Sequence, residues 1–464
     1  MGAPFDRICK DTNFAQIKAY LFQKKQKGHV LEGERGDVLG DADNFFFANS
    51  NTLCTFADGT TILKSNFKFA TTRRKKMTDR ELTNTIKRAF HYFSVVTIVG
   101  PRQSGKTTLC RILYGELPYT NLEDVATLEE AQSDPKAFIS KYEQGMIIDE
   151  AQRFPELFSY LQVLVDEDRM SGNKQRKFIV TGSANFALMQ QISQSMAGRT
   201  AVLTLLPLST TEQKTHIRTA TTDEHIIRGG YPAIWTNDDD GREMLLSNYY
   251  TTYVERDLRQ LIQIKDLRPF NTFIRLCAGR IGSEFNASSL AVEVGVSVPT
   301  IQSWISILQA SYILHLQPPF YANIRKRLTK KPKLYFHDTG LAAWLLGIRT
   351  IEHLVTHPLR GNLFENMVIN DHIKQYTNQG IEPNLYFYRD QQQHEVDLLD
   401  VQPDGTIHAY EIKSSQTYRT EYFNNLHYLK DLMPDKVVST QVIYDGDQEN
   451  TQTFDGFVRY DKRK

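Results

Sequence analysis

The sequence predicts an α/β protein built around a parallel sheet, and three observations carry that prediction. Short β-rich runs alternate with helical stretches over residues 94–207, as in "SVVTIVG", "PYTNLE", "MIIDEA", "KFIVTGSA" and "TAVLTLLPL". One of these runs passes through a glycine-containing loop straight into helix-forming residues, "VVTIVGPRQSGKTTLCRIL". From Leu359 onward a helical stretch is followed by a β meander. At 464 residues the chain exceeds one ordinary core, so several domains are expected.

The composition narrows the class further. Hydrophobic residues make up 41% and charged residues 23%, the profile of a globular protein. No apolar run approaches the roughly 18 residues that a membrane span needs, so no membrane association is expected. The opening "MGAPFDRICKDTNFAQIK" lacks a basic-then-apolar leader, which makes a cytoplasmic location the expectation. Cys9, Cys54, Cys110 and Cys277 lie far apart in no metal-like spacing and fit a reducing compartment. With a net charge of +1, any basic surface for nucleic acid must be local.

Taken in order, residues 1–76 have weak periodicity and end in "TTRRKK"; they form an unassigned N-terminal extension. At Met77 the character changes to "MTDRELTNTIKRAF", where Thr78 and Glu81 read as a capping box ahead of helical spacing. The expected α/β core is 77–207, and 208–267 is a helical linker or lid carrying "RGGYP". Residues 268–347 form a compact helical segment ending in a basic hairpin-like stretch, and 348–464 form a terminal α/β domain.

The loop in the first strand–helix unit carries the clearest chemistry. Gly100-Pro101-Arg102-Gln103-Ser104-Gly105-Lys106-Thr107 fits G-x-x-x-x-G-K-[ST], in which glycines turn backbone N–H groups inward and the helix N-terminus faces phosphate. Gly100, Ser104, Gly105, Lys106, Thr107 and Thr108 are the expected ATP-binding residues, with Lys106 on the β- and γ-phosphates and the Thr107 hydroxyl on Mg²⁺. A carboxylate for Mg²⁺ is then expected on a neighbouring strand, and "GMIIDEAQ" supplies Asp149, followed by Glu150 to activate the attacking water. Thr181 or Ser183 in "KFIVTGSAN" could touch phosphate or that water, or simply form a turn. Arg199, after Gly198, is read either as a cation for transferring phosphate, often supplied by a neighbouring subunit, or as a surface residue. The first reading implies a homo-oligomer.

"GPRQSGKTT", "NLE", "IIDEAQRFPELF", "TGSANF", "SMAGRT", "LPLS", "GGYPAIW", "YVERDL", "KLYFHDTGL", "GNLFENMV", "HEVDLL" and "EIKSS" follow one another in that order. In this the chain resembles prokaryotic AAA-type ATPases that carry a C-terminal domain of unknown function. The resemblance covers residues 77–464 and implies a P-loop AAA-type ATPase core, a winged-helix-like middle and a C-terminal restriction-endonuclease-like domain.

The middle segment has its own pattern. In "NASSLAVEVGVSVPTIQSWISILQASYILHLQPP" a helix, a turn at Gly295 and a second helix from about Pro299 are expected, with Ser297 as N-cap. Ile301, Trp304, Ile305 and Leu308 share one face, leaving Thr300, Gln302 and Ser303 outside, a helix-turn-helix pattern. Beyond it, "NIRKRLTKKPKLYF" clusters Arg325, Lys326, Arg327, Lys330, Lys331 and Lys333. This cluster is either a wing that binds DNA phosphates or a solvated face on an interdomain strut.

The C-terminal segment offers "TIHAYEIKSS", whose alternation puts Glu411 and Lys413 on one face of a strand. The preceding strand "QHEVDLLDVQ", joined through "PDG", brings Asp397 alongside, and the helix "GNLFENMVINDHIKQY" offers Glu365 from its first turn. A Glu-x-Lys triplet alone is weak, since another occurs at Glu212 to Lys214. The whole set resembles the acidic constellation of PD-(D/E)xK nucleases. There Asp397 and Glu411, with the Ile412 carbonyl, would hold Mg²⁺ or Mn²⁺, Lys413 would orient the nucleophile, and Glu365 would sit outside them. Two functions therefore stand side by side: an ATPase whose nucleotide state controls a nucleic-acid-handling nuclease domain, and a nucleotide-dependent switch that binds a protein partner through an inactive nuclease-like domain.

Overall fold

Five short strands line up in parallel to make the first sheet, in the spatial order Thr200–Thr204, Val95–Val99, Lys177–Thr181, Gly145–Asp149, Tyr119–Asn121. Each is rich in β-branched or apolar residues and both faces are covered, as parallel strands require. On one face Val95, Val99, Met146, Ile148, Phe178 and Val180 pack against the helices Pro135–Ser140 and Leu157–Ser171. On the other, Val96, Ile98, Ile147 and Ile179 pack against Thr83–Ala89 and Lys106–Leu113. The computed structural model describes residues 80–461 apart from 173–175, 183–188, 190–191, 193, 216–219, 237–238, 258–266 and 321–330. Of the preceding segment it describes only residues 31–32, 45–47, 53–56, 61–63 and 68–69. That segment belongs to a separate unit, Met1–Met77, in which Phe45–Phe47, Leu53–Phe56 and Thr61–Leu63 form an antiparallel meander and Leu31–Glu32 pairs with Lys68–Phe69.

Within the unit Thr78–Lys464, the sheet corrects one expectation. The Asp149 strand is not the immediate neighbour of the strand that enters the phosphate loop, because Lys177–Thr181 is inserted between them. The first described helix corrects another: it begins at Thr83, and Glu81 reaches Asn378 Nδ2 (2.8 Å) and Ser209 Oγ (3.3 Å) instead of capping it. Thr78 lies outside the described residues.

After the sheet come Thr210–Gln213, Thr222–Arg228, Pro232–Thr236, Asp239–Tyr249 and the π-helical Tyr250–Asp257. The middle segment contains Leu267–Ala278, Ala287–Val294 and Val298–Ala310, then the antiparallel pair Leu314–Gln317 and Lys333–Phe336. Gly295 at φ 76° closes Ala287–Val294, and Ser297 Oγ accepts the Thr300 N–H (3.3 Å) to cap the next helix. Among the described residues no single helix is long and apolar enough to cross a membrane; these two qualify only as a pair bent by 108°. Their apolar residues Leu290, Ile301, Trp304 and Leu308 are core residues.

The last segment places Arg360–Gln379 on one face of a five-stranded sheet ordered Leu385–Arg389, Glu395–Val401, Ile407–Lys413, Val437–Tyr444, Gly456–Arg459, with Asn424–Leu432 on the other. The expected boundaries at 267/268 and 347/348 do not separate cores. One cluster runs from Leu206 through Phe270, Trp304, Tyr335 and Phe364 to Tyr460, so lid, middle and terminal segments share one core. Cys110 and Cys277 are buried free thiols in this unit.

Candidate functional site

The Gly100–Thr107 loop owes its shape to two backbone positions. Gly100 has φ 145°, and a Cβ there would stand 2.3 Å from the Leu205 carbonyl oxygen, so no other residue fits. Gly105, at φ 92°, turns the chain into the Lys106–Leu113 helix. Lys106 is buried, and its Nζ donates to the carbonyls of Gly100 (3.0 Å) and Pro101 (2.7 Å). Burial pushes its pKa down to about 8. Ser104 is fully buried with its hydroxyl unpartnered. Thr107 is half-buried and Thr108 exposed on the first turn.

Asp149 ends its strand as a saturated acceptor. Its Oδ2 receives Thr107 Oγ1 (2.8 Å) and the Tyr119 hydroxyl (2.8 Å); its Oδ1 receives the Glu150 N–H (3.1 Å) and the Thr181 hydroxyl. Glu150 adopts a left-handed backbone, φ 56°, and its carboxylate accepts from Gln152 Nε2. Arg199 is held by Asp166 through two bonds, 2.8 and 2.7 Å, at the rim of the Leu157–Ser171 helix. Ser183 lies outside the described residues.

Arg80 completes this region and is absent from the sequence reading. It is 7% exposed and donates to the Ser104 carbonyl (2.7 Å), the Leu206 carbonyl (2.6 Å) and Glu212 Oε1 (2.9 Å). Glu212 Oε1 also takes the Glu81 N–H (2.8 Å), while Glu212 caps its own helix through the Ser209 N–H (2.9 Å). The phosphate loop is thereby fastened to the Glu212 turn. A Cβ on Gly105 would lie 3.8 Å from both Arg80 and Pro232 of the Gly229-Gly230-Tyr231-Pro232 turn.

Of the basic run, Arg325, Lys326, Arg327 and Lys330 lie outside the described residues. Lys331 is exposed beside a shallow recess lined by Glu284, Phe387 and Arg389. Lys333 departs from the expected wing. It is 2% exposed and points into the carboxylate cluster, because in the strand Lys333–Phe336 all four residues are buried.

That cluster assembles from three directions. Asp397 and Glu411 come from adjacent antiparallel strands, and Asp397 Oδ2 accepts the Ile412 N–H (2.8 Å). Lys413 Nζ contacts Glu411 Oε1 (2.5 Å) and Asp397 Oδ2 (3.6 Å). Glu365, in the second turn of its helix and not the first, accepts from Tyr335 OH (2.5 Å) and Lys333 Nζ (3.2 Å). Lys333 also reaches Glu395 Oε1 (2.5 Å) and Asp397 Oδ1 (3.9 Å). Burial, then the neighbouring Asp397, raises Glu411 to about 8. Burial would lower the Lys333 ammonium, but Glu365, Asp397 and Glu395 hold it above the ordinary lysine value. Glu411 is 5% exposed and its Oε2 has no partner, so it can accept a cation, although among the described residues no three His, Cys, Asp or Glu side chains form a ligand set. Tyr335 and Glu395 were missed, and Lys333 was grouped with the basic run; the unbroken apolar run Leu334-Tyr335-Phe336 that follows it was the one signal that it begins a buried strand.

Comparison with known proteins matches this architecture piecewise. An AAA domain model fits residues 92–214; two domains of unknown function, DUF8612 and DUF4143, fit 219–352 and 360–459. The uncharacterized protein Rv2008c of Mycobacterium tuberculosis is 32% identical over 344 residues, covering 73% of this chain and 74% of its own length. An uncharacterized protein of Haemophilus influenzae is 22% identical over 284 residues, covering 54% and 69%. The Walker-type ATPase PABY2304 of Pyrococcus abyssi aligns with a TM-score of 0.40 at 14% identity, over 59% of this chain and 97% of that one.

Proposed function

This chain belongs to the family of the mycobacterial protein Rv2008c and carries an AAA-type P-loop ATPase domain, and we propose that it binds and hydrolyses ATP to control a C-terminal domain that cleaves nucleic acid. The observation that carries the reading is the convergence of Lys106, Thr107, Asp149 and Glu150 around one loop. Lys106 and the loop N–H groups bind phosphate oxygens, Lys106 giving up the Gly100 and Pro101 carbonyls to do so. Thr107 and Asp149 hold Mg²⁺, and Glu150, oriented by Gln152, accepts the proton of the attacking water. Arg199 leaves Asp166 to meet phosphate, from a neighbouring subunit in a homo-oligomer.

At the second centre Asp397 and Glu411 hold Mg²⁺ or Mn²⁺, and Lys413 orients the nucleophile. A divalent cation at that cluster supplies a water of lowered pKa and neutralises charge on the scissile phosphate. DNA is gripped by the helix pair Ala287–Val294 and Val298–Ala310 together with Arg325, Lys326, Arg327, Lys330 and Lys331. Control has a physical route. Arg80, Glu212 and Glu81 lead from the loop carbonyl of Ser104 to Asn378, at the far end of the same 20-residue helix that presents Glu365. That helix is about 30 Å long and continuous between the two positions.

The test is cleavage of labelled single-stranded, duplex and branched DNA with Mg²⁺ or Mn²⁺, with and without ATP. Cleavage by the wild type that vanishes in Asp397→Ala, and that responds to ATP except in Lys106→Ala, supports the reading. ATP turnover unchanged in both Lys106→Ala and Glu150→Gln overturns the ATPase assignment. Turnover without cleavage of any substrate leaves the protein-binding switch as the function.

A further inference from the structure

The carboxylate cluster holds a lysine that does not come from its own segment. Lys333 arrives on the second strand of the middle hairpin, opposite Gln317, whose side chain donates to the Asp397 carbonyl (3.4 Å). Its ammonium lies 3.2 Å from Glu365, 2.5 Å from Glu395 and 3.9 Å from Asp397, over the Phe387 ring at 5.4 Å. With its side chain 3% exposed it cannot withdraw into water. Lys413 differs: its side chain is 34% exposed, so it can swing outward and free Asp397 and Glu411. The only buried oxygen of the four carboxylates without a partner is Glu411 Oε2, at the Lys413 end.

These two ends are chemically unlike. At the Asp397–Glu411 end an unpartnered oxygen faces a lysine that can leave. At the Glu365–Asp397 end the space is filled by an ammonium that cannot, and a second divalent ion there would meet like charge at contact distance. Resting on the reading of this cluster as a cation site, we infer that Lys333 is its resident cation, which fixes the site at one divalent ion per chain, bound by Asp397 and Glu411. Glu365 is then a partner of Lys333 and Tyr335 and not a metal ligand, and Lys333 is a positioning residue that sets the number of metals. A two-metal clamp, with ions about 4 Å apart, is excluded by this arrangement.

The experiment counts nucleotide-independent Mn²⁺ on the full chain by calorimetry and by the loss of free-Mn²⁺ electron paramagnetic resonance signal. The Asp397-dependent portion is taken as the difference from Asp397→Ala. The expected result is one Mn²⁺ in the wild type, two in Lys333→Met, and one in Glu365→Gln with a Kd within about threefold of wild type, the change expected when no ligand is lost. Two Asp397-dependent ions in the wild type overturn the inference, as does a folded Lys333→Met that still binds one. If Lys333→Met does not fold, loss of the ion in Glu365→Gln overturns it and retention supports it. No Asp397-dependent Mn²⁺ in any variant removes the cation-site reading itself, a failure distinct from a wrong count.

Discussion

Replacing Arg80 by Met tests whether the phosphate loop is held from outside. The side chain makes three hydrogen bonds at 2.6–2.9 Å in a buried position, and its carboxylate partner Glu212 is equally buried. Breaking a buried ion pair from one side costs about 3–5 kcal/mol. Glu212 keeps the Glu81 and Ser209 N–H groups, which places the expected loss at the lower end, about 3 kcal/mol. Urea unfolding followed through Trp235, Trp304 and Trp344 reads that loss. Glu212→Gln in the Arg80→Met background removes the stranded charge, so the double variant is expected to recover about 1–2 kcal/mol of the sum of the singles. Because Ser104 belongs to the loop, ATP affinity is expected to fall about tenfold, equivalent to about 1.4 kcal/mol, in a titration with a fluorescent ATP analogue. A stability change under about 1 kcal/mol together with ATP affinity within twofold would refute the anchoring argument.

Two further predictions follow from burial and backbone geometry. Burial pushes His225 down to about 4 and His315 down to about 3, below the 6.5 of an exposed imidazole. The unfolded chain then binds protons that the native one refuses, so stability is fully present above pH 6.5 and is lost as the pH falls below it, by about 1.4 kcal/mol per unit per histidine. His315→Phe should flatten the slope between pH 6.5 and 5 by that amount in denaturant titrations, and an unchanged slope counts against it. At Gly229, with φ 65°, a Cβ would stand 2.4 Å from the Asp338 carboxylate that accepts the Gly230 N–H (2.6 Å), whereas at Gly172 nothing lies within 4 Å. Gly229→Ala should therefore cost about 3 kcal/mol and Gly172→Ala about 1 kcal/mol in thermal melts; equal costs would contradict the geometry.

What could be read in the sequence was local. The loop from Gly100 to Thr107 is contiguous, and its glycines, lysine and threonine each answer to a specific hydrogen bond or backbone angle. Alternation along Ile407–Lys413 put Glu411 and Lys413 on one face, and the observed hairpin register brings Asp397 beside them. Arg80 was invisible because its partner is 132 residues away, and Glu212 was set aside as part of a chance triplet. Lys333 was hidden by its company: five of the eight residues before it are basic, and periodicity describes a face without saying what the face meets. Strand order escaped for the same reason, since nothing in "KFIVTGSA" announces that it separates two other strands.

The six residues Lys333 to Asp338 serve three masters. Lys333 and Tyr335 face the carboxylates, the Phe336 backbone exchanges hydrogen bonds with Asn366 (2.9 and 2.7 Å), and Asp338 closes the Gly229-Gly230 turn. The terminal sheet therefore shares side chains and backbone contacts with the hairpin before it. A gene fragment starting at residue 348 would encode Asp397, Glu411 and Lys413 yet lack Lys333 and Tyr335, and would bare the Leu363, Phe364 and Met367 face that packs on the middle segment. A fragment meant to keep the carboxylate cluster as it stands must therefore begin before the hairpin, at or ahead of Leu314.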